Sequence, residues 1–394
     1  MSDLATLRLK AGRERSLRRH HPWIMSGSVD RVGGNPQPGD TVLVVDDASR
    51  PLALASYSPH SSIRARVWTF DVDQSIDDEF IATRVSAAAS RRRHLGIPNG
   101  DAVRLVFGEA DGLPGLVVDR YGSVVVFQIT TVGIDARRDA VVTALASLDG
   151  VECVYERSDG DNRSREGLEP QTGVRHGSLP TDVWAHENGL RFHVDVEHGH
   201  KTGFYIDQRD SRRLVEQHSR GRAVLNVFGY TGSFSVAAAR GGASSITTID
   251  SSGPALRIAE ANGRANDVNI GELVEADAFS ELRSLRDRRA SFDVIVLDPP
   301  KLANNPNQVD RATRAYKDLN LLALKLLRPG GLLFTYSCSG AVSSDLFQKI
   351  VAGAAVDANR EASIIERLGQ PGDHPIPLHF PEADYLTGLM LETA

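Results

Sequence analysis

A three-part chain is the fold class this sequence predicts: a small β-barrel or curled sheet over residues 1–74, an α+β middle domain over 75–190, and an α/β domain on a mostly parallel sheet over 191–394. Three observations predict it. The length of 394 residues exceeds one ordinary domain. Residues 40–70 carry short apolar runs broken by closely spaced turn residues, the pattern of a compact antiparallel sheet. From residue 191 strands and helices alternate, which requires a parallel sheet covered by helices.

In the first domain, strands are expected at 41–45, 52–57 and 63–68. At Ile76, Phe80, Ile81, Val85 and Ala88 the apolar spacing turns helical. That helix ends in Arg91, Arg92 and Arg93, whose cations complement the negative end of its dipole, with Gly96 as a stop. Strand-like runs follow at 102–107, 116–118 and 124–129, a helix at 136–148 and a strand at 153–155. Residues 157–182 are polar, aperiodic and rich in Gly and Pro, and read as a long connection. In the third domain the strands are 223–228, 245–249, 272–275, 292–297 and 331–336, and the helices begin near 234, 254 and 316.

Composition narrows the function classes. Hydrophobic residues make up 41% and charged residues 24%, enough apolar side chains for a packed core, so disorder and fibres are excluded. The two cysteines, Cys153 and Cys338, supply neither a disulfide framework nor a four-ligand zinc site; no metal is expected, and a reducing cytoplasm fits. There is no apolar leader and no run near the ~18 apolar residues of a membrane span.

The net charge of -6 conceals a basic segment. Arg8, Lys10, Arg13, Arg15, Arg18 and Arg19 face only Asp3 and Glu14 within residues 1–23, a candidate contact for a phosphate backbone.

Candidate site residues gather at expected strand ends, where ligands bind in open α/β sheets. After the first strand of the third domain, Phe228-Gly229-Tyr230-Thr231-Gly232 forms a turn whose glycines let backbone approach a ligand, without the full G-x-G-x-x-G pattern. Asp250 stands 21 residues after Gly229, near the offset at which an acid takes a ribose hydroxyl. Asp277 follows the third strand, and Asp298-Pro299-Pro300-Lys301 the fourth. Without a phosphate clamp of the G-x-x-x-x-G-K-[ST] type, an adenosine-bearing cofactor with no demanding phosphate site is preferred, and S-adenosylmethionine meets that description. The prolines stiffen a loop able to hold Asp298 against an extruded base. Cys338 leaves the fifth strand between small residues, where a thiolate can attack an electron-poor carbon such as cytosine C6. Cys153 lies within a strand and reads as structural.

Taken together, the segments HPWIMSG (21–27), SPHSSIRARVW (58–68), GEADGLPGLVVDRY (108–121), HGHKTGFYIDQR (198–209), DPPK (298–301) and YSCSG (336–340) resemble the PUA-domain-containing, S-adenosylmethionine-dependent large-subunit ribosomal RNA methyltransferases that make 5-methylcytosine. The resemblance implies a PUA barrel for RNA, with Trp23, Arg64 and Arg66 joining the basic segment, and a Rossmann-like class I methyltransferase domain. It implies cofactor contacts from Lys201, Thr202, Tyr205, Asp207, Gln208 and Arg209, from Phe228 to Gly232, and from Asp250 at the ribose, Asp277 at the adenine and Asp298 near the reacting centre. Cys338 matches the family's nucleophile. Lys301 stands where many RNA 5-methylcytosine enzymes have a second cysteine; it could lower the thiol pKa or hold a phosphate, and the base that removes the C5 proton is unassigned. The implied partner is large-subunit ribosomal RNA, with a homodimer left open. A 5-methyluridine methyltransferase and a non-catalytic RNA-binding assembly protein remain as alternatives.

Overall fold

A computed structural model describes residues 4–98, 100–303 and 305–394; Asp3, counted in the basic segment, lies outside them. The chain divides into two compact units. The first holds the residues up to His186 together with Val194–Ile206 and Gly372–Ala383, and the second holds Glu187–His193, Asp207–Pro371 and Asp384–Ala394.

In the first unit, β1 (Thr6–Leu9), α1 (Arg15–Arg18), β2 (Trp23–Met25), β3 (Val29–Gly33), β4 (Thr41–Val45), β5 (Pro51–Tyr57) and β6 (Ile63–Thr69) form a six-stranded sheet of order β2-β6-β5-β4-β1-β3. Only the β1–β4 pairing in it is parallel. Alternating residues such as Leu7, Leu9, Val42, Val44, Ala53, Ala55, Ala65 and Val67 fill its core. The basic segment is therefore no loose arm: Arg8 projects from β1, which sits inside the sheet with Leu7 and Leu9 buried, Arg15 and Arg18 lie in α1, and Lys10, Arg13 and Arg19 flank these two elements.

The rest of the first unit packs α2 (Asp78–Arg93), α3 (Val132–Asp135) and α4 (Arg138–Ala146) with β7 (Val103–Phe107), β8 (Leu116–Tyr121), β9 (Val124–Ile129), β10 (Cys153–Ser158) and β11 (Gln171–Gly177), in sheet order β11-β10-β9-β8-β7. Asp77 caps α2 by accepting from the Phe80 N–H at 3.0 Å. Part of the expected 157–182 connection is strand. β11 lies at the sheet edge, mostly exposed, so backbone pairing with β10 defines it and no apolar period marks it. Gly372–Ala383 returns to this unit, where Asp373 accepts from the Arg104 N–H at 2.9 Å, Arg92 donates to the Asp373 carbonyl, and His374 is buried.

After β12 (Trp184–Glu187) and β13 (Leu190–His193), the second unit contains α5 (Arg209–Gln217), β14 (Ala223–Val227), α6 (Ser233–Arg240), β15 (Ser245–Asp250), α7 (Gly253–Ala265), β16 (Glu272–Glu275), α8 (Ala278–Asp287), β17 (Phe292–Leu297), α9 (Val309–Leu326), β18 (Leu327–Ser337), α10 (Ser344–Ala358), β19 (Ala362–Leu368) and β20 (Thr387–Thr393). The sheet order is β16-β15-β14-β17-β18-β20-β19, parallel through β18 and antiparallel at β20. Strand order reverses between β14 and β17, and a crevice opens at such a switch point beyond the strand ends.

Candidate active site

Five strand ends build the site within the second unit. Beyond β14 the chain turns sharply: Phe228 and Tyr230 adopt φ of 62° and 47°, and Gly232 opens α6 at φ 72°. Two non-glycine residues in the left-handed region within three positions store backbone strain, which persists only where the surroundings hold it. Here the Gly229 N–H donates to the Ile249 carbonyl at 3.0 Å, the Tyr230 N–H to Asp250 Oδ2 at 2.7 Å, and the Asn262 amide to the Thr231 carbonyl at 2.9 Å. A Cβ on Gly229 would lie 2.3 Å from Thr248 Cγ2, so the turn lies against β15 as closely as only glycine allows. Beneath it, the Asn226 amide donates to Ser235, whose hydroxyl bonds Thr248.

Asp250 is half-buried, and its second oxygen accepts from the Ser252 N–H at 2.8 Å. Asp277 is exposed and caps α8 by accepting from the Ser280 N–H at 2.9 Å. Asp298 is half-buried at the end of β17, next to β14; its N–H points at the Val227 carbonyl at 3.5 Å. Pro299 is buried, while Pro300 and Lys301 are exposed.

Cys338, half-buried, places Sγ 3.9 Å from the Pro299 carbonyl oxygen. Its neighbours Ser337 and Ser339 are buried. The Tyr316 hydroxyl on α9 accepts from Ser337 at 3.0 Å and bonds the Ser339 hydroxyl at 3.0 Å. Ser339 Oγ also accepts from the N–H groups of Leu302 and Ala303 at 3.1 and 3.2 Å. The Tyr316 hydroxyl is pushed above the ordinary phenol range, chiefly by burial. The sequence reading missed Tyr316, Ser337 and Ser339. Ser337 and Ser339 flank the cysteine in a motif already noted, but nothing local ties Tyr316 to them.

The HGHKTGFYIDQR segment is shared between the units. In the first, Lys201 is exposed with its ammonium 4.3 Å from the Tyr205 ring centroid, and Thr202 is buried against Asp119 and Tyr121. In the second, Asp207, Gln208 and Arg209 are buried, and Asp207 accepts from the Tyr385 hydroxyl at 2.5 Å. Among the other predicted contacts, Arg13, Arg15 and Arg19 are exposed, Lys10 donates to the Gly27 carbonyl, Arg8 to Asp47 and Ser49, and Arg18 to Asp46. Arg64 donates to the Pro59 carbonyl. Arg66 is buried, 2.9 Å from Glu166 and 3.8 Å from Glu109, and the Trp23 indole donates to Glu109 at 2.7 Å. Among the described residues no three metal-ligating side chains gather, and no helix is long and apolar enough to cross a membrane.

Comparison with known proteins decides the family. Residues 170–391 match the S-adenosylmethionine-dependent methyltransferase family and residues 7–70 a PUA-like domain. The chain is 50% identical, over 98% of both lengths, to ribosomal RNA large subunit methyltransferase I of Shewanella frigidimarina. It belongs to the ribosomal RNA large subunit methyltransferase I family. The enzyme of that name from Photobacterium profundum is 48% identical over 96% of this methyltransferase and 97% of its own length. Among solved structures, a chain from Streptococcus mutans described as an S-adenosylmethionine-dependent methyltransferase superposes with TM-score 0.85 at 22% identity, covering 98% of this chain and 99% of its own. Another, a methyltransferase complexed with SAH, reaches 0.86 at 23% identity with the same coverage. These two share the fold, and the methyltransferase depends on S-adenosylmethionine.

Proposed function

We propose that this methyltransferase modifies C5 of a cytosine in large-subunit ribosomal RNA, in the cytoplasm, through a covalent adduct between Cys338 and C6 of the base. The observation that carries the reading is the approach of Cys338 Sγ to the carbonyl of Pro299, which brings a thiol beside the loop that begins with Asp298. The names of the full-length relatives support ribosomal RNA as the substrate.

The residues fit S-adenosylmethionine. Gly229 has no room for a Cβ, and the strained Phe228–Gly232 turn is braced by Asp250 and Asn262. A carboxylate offers about four acceptor sites, so Asp250, holding two N–H groups, keeps capacity for the two ribose hydroxyls. Phe228, Gly229, Tyr230, Thr231 and Gly232 would hold the cofactor with Asp250, Asp207, Gln208 and Arg209, and Asp277 would meet the adenine. When bound, the cofactor supplies an electrophilic methyl group.

The thiolate of Cys338 adds to C6, forming an S–C6 bond and making C5 nucleophilic. Asp298 hydrogen-bonds the N3/N4 edge, where charge develops as that bond forms. Once C5 carries the methyl group, its proton is lost to base, the S–C6 bond breaks and the Cys338 thiolate is released. Lys301, exposed beside this loop, is positioned to meet a phosphate of the RNA, and the cationic face of Lys10, Arg13, Arg15, Arg18 and Arg19 meets the backbone elsewhere. Methyl transfer from labelled cofactor to ribosomal RNA fractions, followed by nucleoside analysis, should yield 5-methylcytidine; labelled 5-methyluridine or unlabelled RNA would refute the reading.

A further inference from the structure

We propose that Tyr316 is a positioning residue that sets the Cys338 thiol for attack, a role that rests on Cys338 being the nucleophile. Ser337 ends β18 and Cys338 and Ser339 follow it; Cys338 is half-buried while Ser337 and Ser339 are buried, so their hydroxyls take partners inside the protein. One group serves both: the Tyr316 hydroxyl lies 3.0 Å from Ser337 Oγ and 3.0 Å from Ser339 Oγ, bracketing the cysteine from behind. Tyr316 itself is fixed, fully buried in α9 with its ring edge-on to Phe347 at 5.5 Å between centroids.

The clamp extends to the other half of the site. Ser339 Oγ receives the N–H groups of Leu302 and Ala303, the residues directly after Lys301. The Ser339 hydroxyl, held by Tyr316, therefore ties the loop carrying Asp298 to the loop carrying Cys338. The Pro299 carbonyl beside the thiol is part of the same tie. Burial keeps the phenol protonated, so the clamp does not loosen with pH through the neutral range. Removing the hydroxyl leaves the fold and the cofactor turn intact but frees the thiol to wander, and misplacement by about 1 Å lowers a rate by up to about 100-fold.

The test uses the full chain, S-adenosylmethionine and large-subunit ribosomal RNA transcribed with 5-fluorocytidine, in which the C5 fluorine cannot leave as a proton does, so the S–C6 bond persists and is counted on a denaturing gel. Tyr316→Phe should form the adduct about 10- to 100-fold more slowly at saturating RNA and cofactor, with the cofactor KM unchanged. Ser339→Ala should slow it similarly, and the double variant should be no slower than the worse single one, because both changes break one clamp. Wild-type trapping by Tyr316→Phe, while Cys338→Ala traps nothing, overturns the positioning role alone. A parallel loss of cofactor affinity in Tyr316→Phe overturns it too, by making the residue a general support. Trapping by Cys338→Ala defeats the underlying mechanism and the proposal with it.

Discussion

The Sγ of Cys338 lies 3.9 Å from the carbonyl oxygen of Pro299, joining the residues that follow two neighbouring parallel strands, β18 and β17. The second cysteine, Cys153, is fully buried, and burial raises its thiol pKa, so it is protected twice from alkylation. Iodoacetamide should label one thiol, at Cys338, and stop methyl transfer. Cys338→Ala should take no label and bind S-adenosylhomocysteine within about twofold of wild type, since the cofactor turn does not depend on it. Peptide mapping that found Cys153 labelled first, or full turnover after labelling at Cys338, would contradict this.

Gly229→Ala would force a methyl group to within 2.3 Å of Thr248 Cγ2. Overpacking of this kind costs about 1–3 kcal/mol, to be read as a lower unfolding midpoint and weaker cofactor binding. Adding Thr248→Ser removes the opposing methyl while keeping the hydroxyl that bonds Ser235, and should recover part of both losses.

Asp250→Asn replaces an acceptor with an amide donor facing the N–H of Tyr230 or Ser252. Two donors face to face push the turn open, so cofactor affinity should fall about tenfold or more by titration calorimetry, the removal of each acceptor costing about 1–3 kcal/mol. Unchanged affinity would remove Asp250 from the site.

Arg13, Arg15 and Arg19 are exposed on the first unit. If they meet phosphates, the triple change to Ser should reduce the slope of log K against log salt by roughly 0.7 for each phosphate of single-stranded RNA that is no longer neutralised. An unaltered slope would assign RNA binding to another face.

Asp293 accepts from the Ala223 N–H at 2.8 Å and from Arg328 at 2.6 Å, tying the starts of β14 and β17 to β18. Burial works to raise its pKa, but the Ala223 hydrogen bond and the Arg328 charge outweigh it and hold the carboxyl below 3.8. A depressed folded-state pKa contributes stability that is complete above the unfolded value and disappears as pH falls through the folded one. Asp293→Asn should therefore be about 0.5–1 kcal/mol less stable at neutral pH, a modest figure because the group is partly solvated, and the difference should vanish in acid. Urea titrations at pH 7 and below pH 3 would check the sign.

Much of the second unit was legible in the sequence because its signals are local. Val294, Ile295, Val296 and Leu297 form a continuous apolar run, the mark of a strand covered on both faces, and Asp298 follows it at the strand end. The turn from Phe228 to Gly232 and the cysteine after β18 were legible for the same reason. Tyr316 was not, because its partners Ser337 and Ser339 lie 21 and 23 residues away and only the packing of α9 brings them together. Arg66 shows the converse difficulty: its charge suggested a phosphate contact, while its carboxylate partner Glu166 is 100 residues distant. β11 escaped notice because an exposed edge strand needs no apolar pattern.

The excursion of Gly372–Ala383 into the first unit bears on the order in which the molecule can be completed during synthesis. The Arg104 N–H and the Arg92 guanidinium find acceptors on Asp373, which emerges 269 residues after Arg104. Until then the Arg104 N–H lacks this acceptor and the Arg92 guanidinium, although paired with Asp111, lacks one of its hydrogen bonds, so the last cooperative step of the first unit waits for the C-terminal end of translation. A ribosome stalled before residue 372 should display a first unit measurably more open to protease than the released chain.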